Sequence, residues 1–310
     1  MDRSRTSFVI NPQAAGGRTG KLWKAREAAV RAHFPEASFR LTAAPREAAA
    51  MAEQEQARGQ ELVVAVGGDG TVHEVIQGLR REATGPRAAL GILPSGTGSD
   101  FARGLGIGPS LDQALQQLVE GASRRIDLGR VEAPGDPTRT EWFGNVASLG
   151  VTGEVVERIQ RSRKWFGTKP TYLWAAVCAL LRYRNPRVRW SIDGTAPVVQ
   201  RIKAIAIGNS SYFGGGMCIA PDARVDSGAF QVAVFGDLGR LEAVRRLGET
   251  YRGARIEHAD IRYHAARTLL VEAETQRAVE VELDGEAWGA LPARFTVEPA
   301  ALEVISPRTG

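Results

Sequence analysis

A chain of 310 residues that is 43% hydrophobic and 24% charged is globular, and at ~100–200 residues per domain it is expected to hold two domains. Its two cysteines, Cys178 and Cys218, lie far apart without zinc-ligand spacing, which excludes a disulfide framework and reads as two small buried thiols in a reducing compartment. The net charge of +5 is unevenly placed: from Arg158 to Arg189 there are nine basic residues and no acidic one, so the rest of the chain is net negative by about four.

In chain order, residues 1–125 alternate strand and helix patterns. TSFVINP reads as a strand, and Leu22, Ala25 and Ala29 then place small apolar positions on one helical face, with Trp23 and Val30 beside it. ASFRLT is a second strand, and APREAAAMAEQEQARG an Ala/Glu-rich helix stopped by Gly59. ELVVAVGG is apolar on both pleat faces, which suits a central parallel strand covered by helices on each side. Val72, Val75, Ile76 and Leu79 repeat at i, i+3, i+4, i+7, and AALGILPSG is another buried strand. Leu111, Ala114, Leu115, Leu118 and Val119 make a further amphipathic helix before RRIDLGRVE. This series predicts an α/β domain with a doubly wound parallel sheet and ligands beyond the carboxyl ends of its strands.

After Ile126 the pattern changes. Apart from helices near 152–162, 168–184 and 240–252, short strands follow at hairpin spacing: RVRWSIDG, QRIKAIAIGNS, AFQVAVFG, IRYHAARTLLVEAE, AVEVELDGE, RFTVEP and LEVIS. They predict a β-rich, sandwich-like second domain over 126–299 with a few helices. No period of 20–50 residues recurs, which excludes a solenoid. The longest apolar run, Tyr172 to Leu181, is about half of the ~20 residues of a spanning helix, and TSFVINP is too short for a secretory signal.

In VVAVGGDGTVHEV, residues 63–75, a β-branched strand enters three glycines and a helical pattern, with Asp69 in the turn. Such turns usually hold anions, because their backbone N–H groups and the helix N-terminus are electropositive. A carboxylate there repels a polyphosphate unless a divalent cation lies between them, or unless it orders the loop by accepting N–H bonds. Asp69 therefore predicts Mg²⁺ bound with a nucleotide, with an ordinary Asp-Gly turn as the alternative. A second loop, LPSGTGSD, repeats the design with Thr97 as a donor; Asp100 either joins Asp69 at the metal or caps the next helix. NPQAAGGRTGK after the first strand fails as a Walker A loop, since Ala15 takes the first glycine position and Leu22 the Ser/Thr position.

NPQAAGG, GGDGTVHEVIQGL and LGILPSGTGSDFARGLGI, followed by APDARVDSGAF and LDGE, resemble the diacylglycerol kinase catalytic domain family over nearly the whole chain. That family includes bacterial lipid kinases and sphingosine kinases and has an NAD-kinase-like, phosphofructokinase-like fold. The resemblance implies that residues 1–125, completed by 300–310, bind ATP and that the β-rich domain takes the lipid. It matches Asn11, Pro12, Thr42, Gly67, Gly68, Asp69, Gly70, Thr71, Gly96 and Thr97 to the nucleotide site. It matches Asp284 and Glu286 to the acidic pair near the C-terminus, with Glu286 as proton acceptor and Asp284 supporting it or competing for the role. Asp69, Asp100 and Asp226 are the expected Mg²⁺ ligands, and Asp69 also counts among the catalytic residues. Three positions depart from the pattern: Ser99 replaces asparagine, His73 stands where bacterial members often carry asparagine, and Ser227 replaces a carboxylate in the turn after Asp226.

In residues 158–189, Arg and Lys interleave with Trp165, Phe166, Tyr172 and Trp174 around a short apolar helix, a surface suited to an anionic membrane. The competing reading makes 172–181 a core helix with a solvated arginine rim. Since 35 of the 40 basic residues are arginine, compositional bias accounts for part of the signal. No helix-turn-helix, RNP or zinc pattern accompanies the charge, so nucleic acid is not the expected partner. The expectation is an ATP- and Mg²⁺-dependent lipid kinase, cytoplasmic and peripheral at the inner face of the membrane, with diacylglycerol as the leading acceptor. An NAD kinase and a lipid-binding regulatory pseudokinase remain as alternatives, and the sequence is compatible with a homodimer.

Overall fold

The computed structural model describes residues 4–81, 87–95, 99–161 and 169–308, with the side chains of residues 137 and 157–175 outside that set. The first elements are β1 (Thr6–Ile10), α1 (Arg18–His33), β2 (Ser38–Leu41), α2 (Glu47–Ala57), β3 (Leu62–Gly67), α3 (Asp69–Arg80), β4 (Ala89–Pro94), α4 (Asp100–Gly104), α5 (Leu111–Glu120) and β5 (Ala122–Ala133). There follow β6 (Asp136–Phe143), β7 (Val146–Gly150), α6 (Val151–Arg161), α7 (Lys169–Arg182), β8 (Arg187–Ile192), β9 (Val198–Arg201), β10 (Ala204–Gly208), β11 (Tyr212–Phe213) and β12 (Met217–Cys218). The last are β13 (Phe230–Phe235), α8 (Arg240–Glu249), β14 (Ile261–Ala266), β15 (Thr268–Ala273), β16 (Glu280–Leu283), β17 (Glu286–Ala290) and β18 (Ala293–Ser306). Two compact units result, Met1–Ile126 with Ala300–Gly310, and Asp127–Pro299, and the chain passes between them within β5 and within β18.

The first unit is an α/β domain. Its strands run parallel in the order β2-β1-β3-β4, and Val304 of β18 pairs parallel with Leu90 of β4. Every residue of β1, β3 and β4 is buried, as expected of strands covered on both faces. In α3 the predicted stripe of Val72, Val75, Ile76 and Leu79 is buried. In α1 the predicted face is not the packed one: Thr19, Trp23 and Val30 are buried, while Leu22, Ala25 and Ala29 are exposed. The aromatic cluster of Phe8, Phe34 and Phe39 draws Trp23 inward, and that buried aromatic area outweighs Leu22 and the two alanines of the predicted face.

The second unit is a β-sandwich with three helices among the described residues. One sheet has the order β14-β13-β10-β7-β16-β17. Opposite it, β18 up to Pro299 pairs with β15, β15 with β8, and β8 with β9. Between the layers lie Phe143, Leu149, Ile205, Val232, Leu269, Val281 and Phe295. The outer face of the first sheet is buried too, because Val151, Val155, Ala179, Leu180 and Ala243 of the helices pack on Val146, Ala206 and Ala233. Two runs read as single strands are in fact divided. QRIKAIAIGNS breaks at Ile202–Lys203 into β9 and β10, and IRYHAARTLLVEAE breaks at Arg267 into β14 and β15, each half pairing in a different layer. RFTVEP and LEVIS are one strand, β18. Cys218 is buried, whereas Cys178 is half-buried. No helix among the described residues is long and apolar enough to cross a membrane.

α2 and α3 approach closely at Gly78, where a Cβ would stand 2.1 Å from the Ala49 carbonyl oxygen and 2.9 Å from the Ala52 Cβ. Gly78→Ala improves helix propensity yet is expected to destabilise the first unit by ~1–3 kcal/mol through overpacking. Denaturant melts check this, and an unchanged or raised midpoint would show that the helices separate freely.

Candidate active site

The expected nucleotide residues converge at the carboxyl edge of the parallel sheet. Chain order reverses between β1, which continues to β2 on one side, and β3, which continues to β4 on the other; ligands bind at such a switch point. Asn11 and Pro12 follow β1, Thr42 follows β2, and Gly67 to Thr71 run from β3 into α3. The Asn11 N–H donates to the Val66 carbonyl at 3.0 Å, its side-chain amide donates to Thr71 Oγ1 at 3.2 Å, and the Thr42 N–H donates to the Ile10 carbonyl at 2.9 Å. A Cβ on Gly67 would fall 2.3 Å from Thr71 Oγ1, so only glycine fits against that hydroxyl. Gly68 precedes α3 in an extended conformation, which presents the helix's N-terminal amides, electropositive by dipole, at the sheet edge.

Asp69, the first residue of α3, points across to the next loop. Its Oδ2 accepts the Asp100 N–H at 3.2 Å and its Oδ1 the Phe101 N–H at 3.3 Å. Asp69 thereby caps α4 from a distance, while the residue just before that helix, Ser99, makes no side-chain cap. The helix is capped by Asp69, then, and not by Asp100, which is itself buried in the first turn. Gly96 and Thr97 lie outside the described residues. Downstream, His73 is buried and its ring nitrogen meets the Gln77 side-chain amide at 3.3 Å.

Among the described residues no group of three or more His, Cys, Asp or Glu is assembled around a metal position. Mg²⁺ that arrives with a nucleotide needs less, because one or two carboxylates complete a shell of phosphate oxygens and water. Asp69 fits such a partial site, with the Asp100 backbone N–H on its Oδ2 and, next to Asp100 in the chain, a buried Ser99 Oγ that has no hydrogen-bond partner among the described residues. Asp226, in the second unit, presents a single carboxylate already paired with Arg224 at 3.4 Å. Beside it, Ser227 Oγ closes the turn against the carbonyls of Arg224 at 3.0 Å and Ala229 at 2.8 Å.

Asp284 and Gly285 form a two-residue hairpin turn between β16 and β17, with φ of 53° and 89°, the signature of the type I′ turn that Asp-Gly favours. The Asp284 carboxylate accepts three backbone N–H groups, from Gly144 at 3.0 Å, Asn145 at 2.9 Å and Val146 at 3.1 Å. Its own N–H returns to the Val146 carbonyl at 2.9 Å. Asp284 thus locks the turn onto the Gly144–Val146 loop, and Glu286 is exposed at the turn's far end. Sequence reading could not anticipate that loop, since it contributes backbone only. It also missed the fully buried Glu282, whose one signal was a charge between Val281 and Leu283.

The second unit also contains an apolar pocket walled by α6, α7, α8 and the sheet, with Val151, Thr152, Val155, Leu180, Phe213 and Met217 among its lining. Lys203 lies in the same wall. Arg246 lies there too; burial pushes the Lys203 ammonium pKa down, with Asp237 opposing and Arg240 reinforcing the shift. In the basic segment, Trp165 and Phe166 lie outside the described residues, as do the side chains of Tyr172 and Trp174. The described half of α7 buries Ala176, Ala179 and Leu180, Arg182, Arg184 and Arg187 are exposed, and Arg189 pairs with Glu274.

Asp69→Ala is expected to remove the α4 cap and lower the stability of the first unit by ~1 kcal/mol, with Asp69→Asn retaining part of it as an uncharged acceptor. Denaturant melts of the two variants check the order; an alanine variant as stable as the parent would remove the capping role.

The family model for the diacylglycerol kinase catalytic domain matches residues 5–131, and that for the YegS C-terminal NAD kinase beta sandwich-like domain matches residues 145–306. A Mycobacterium tuberculosis protein named diacylglycerol kinase is 33% identical over 255 residues, 82% of this chain and 79% of its own length. A Pseudomonas aeruginosa protein named "Probable lipid kinase YegS-like" is 32% identical over 311 residues, 99% of this chain and 96% of its own. A solved diacylglycerol kinase from Bacillus anthracis superposes with a TM-score of 0.72 at 21% identity, covering 97% of this chain and 96% of its own. An Archaeoglobus fulgidus NAD kinase solved with ATP superposes with a TM-score of 0.52 at 15% identity, over 98% and 93%, a likeness of fold alone. With a diacylglycerol kinase catalytic domain followed by a YegS-type C-terminal β-sandwich domain, the chain belongs to the diacylglycerol kinase family.

Proposed function

We propose that this kinase-family protein transfers the γ-phosphate of ATP to the hydroxyl of a membrane lipid, with diacylglycerol as the leading acceptor. The observation that carries the lipid reading is the apolar pocket of the second unit, which suits an acyl chain and has no use for a dinucleotide. Relatives named as diacylglycerol and lipid kinases point the same way.

Phosphoryl transfer asks mainly for positioning, charge neutralisation and a base for the attacking hydroxyl. Gly67, Gly68, Gly70 and Thr71 would receive the phosphates at the α3 N-terminus, with Asn11, Pro12 and Thr42 bordering the nucleotide; Gly96 and Thr97 join them on resemblance alone. Asp69 with Asp100 would hold Mg²⁺, which when bound neutralises the phosphate oxygens beside those carboxylates. Glu286 takes the hydroxyl proton as the lipid oxygen attacks, while Asp284, engaged by three amides, orients the turn. Direct transfer follows, without a covalent intermediate. The exposed Arg182, Arg184 and Arg187 would contribute ~1 kcal/mol each at an anionic membrane surface.

Labelled ATP with Mg²⁺, a lipid extract and NAD, partitioned between organic and aqueous phases, tests the reading. Label in the organic phase is expected, whereas label in NADP, or none transferred, would overturn it. Glu286→Gln is expected to lower kcat by at least ~100-fold. Ala243→Phe, which narrows the pocket, is expected to raise KM for long-chain diacylglycerol while leaving KM for ATP unchanged; steady-state kinetics check both.

A further inference from the structure

Glu282 is a fully buried carboxylate that the roles above leave unused. A buried carboxylate costs several kcal/mol unless its acceptors are satisfied, and a leucine in its place on β16 would be cheaper. What surrounds it explains its presence. In register, Glu282 stands directly opposite Ser148 of β7, on the sheet face toward α6. The Ser148 hydroxyl hydrogen-bonds Glu282 Oε1 and also lies 2.6 Å from Thr152 Oγ1, in the first turn of α6. The other carboxylate oxygen, Oε2, accepts the N–H of Gly285 at 2.7 Å.

The proton inventory orders this chain. With Glu282 ionised its carboxylate only accepts, and Ser148 has one hydroxyl proton, so in that state Ser148 donates to Glu282 and accepts from Thr152. Thr152 also lies 3.5 Å from the Leu149 carbonyl, a longer and weaker alternative for its proton. α6 is pressed onto β16, since a Cβ on Gly153 would come within 2.4 Å of the Glu280 carbonyl oxygen. The relay thus runs through tightly packed elements. One end is the turn that carries Glu286; the other is Thr152, in the wall of the apolar pocket.

We propose that Glu282 is a positioning residue for Glu286, and that the Thr152–Ser148–Glu282–Gly285 relay makes the placement of the base depend on an acyl chain filling the pocket beside Thr152. The inference rests on the lipid-kinase reading and deepens it. Asp284 ties the turn to the Gly144–Val146 loop, and Glu282 ties the same turn to α6, so that the turn preceding Glu286 is held at two points.

The test compares Thr152→Val, which keeps the shape and removes the hydroxyl, with Thr152→Ser, Ser148→Ala, Glu282→Leu and Glu286→Gln, each in the full chain. Thr152→Val and Ser148→Ala are expected to lower kcat on long-chain diacylglycerol by ~10-fold, about one hydrogen bond's worth, with KM for ATP held; the melting temperature holds in Thr152→Val and falls in Ser148→Ala, which takes the Ser148 donor from the buried Glu282 Oε1. Thr152→Ser is expected to restore the rate, Glu282→Leu to exceed the loss, and Thr152→Val to erase the long-chain over short-chain advantage in kcat. Should Glu282→Leu fail to fold, the threonine pair carries the test. Lowered melting temperatures with kcat unchanged would make the relay merely structural and overturn the proposal. Wild-type kcat in the relay variants beside an inactive Glu286→Gln would overturn the inference alone, whereas an active Glu286→Gln would overturn the reading beneath it.

Discussion

The Asp69 carboxylate accepts the backbone N–H groups of Asp100 and Phe101, and the arrangement of the first unit's functional edge depends on that bridge. Glycine-rich turns are built to attract anions, so a carboxylate inside one works against the turn unless its charge is absorbed. Here part of that charge meets the N-terminal amides of α4, where a helix dipole favours it. The bond also ties the turn after β3 to the start of α4. A metal-bound nucleotide and a helix cap need not compete, since a carboxylate oxygen has two lone pairs and one amide uses one of them.

The second unit solves a related problem with Asp284. A type I′ turn sets the path of two strands but does not aim their end at anything. Three amides of the Gly144–Val146 loop supply that aim by converging on one carboxylate. This is possible because the sheet is covered on both faces, sandwich core on one side and helices on the other, so its edge turns sit in fixed surroundings. The same double coverage buries Ser148 and Glu282 and leaves an apolar space beneath the helices. Polar chain and apolar pocket are therefore products of one packing arrangement.

Much of this was legible in the residues. Periodicity located α3, α5 and the central strands, because burial on one helical stripe or on both pleat faces leaves its mark in the order of apolar residues. It misjudged α1, where Trp23 and not the alanines was drawn to the aromatic cluster; small residues carry little burial energy and so do not decide which way a helix faces. It also joined β9 to β10 and β14 to β15. A strand that leaves one layer for another stays apolar throughout, and nothing local records the change of partner.

Local chemistry was determined by the sequence alone: the glycines that admit a turn, Asp-Gly at the hairpin, the alternation that separates a parallel sheet from a sandwich, and the motifs that mark the family. Partnership was decided only by the tertiary structure. Asp69 caps a helix thirty-one positions away, and Asp284 gathers amides from a loop roughly 140 positions upstream. Glu282 meets Ser148 because two strands fell into register. Hydrogen bonds between distant segments depend on which backbone arrives opposite which side chain, and that is set by the packing of whole layers, of which no short stretch of residues holds a copy.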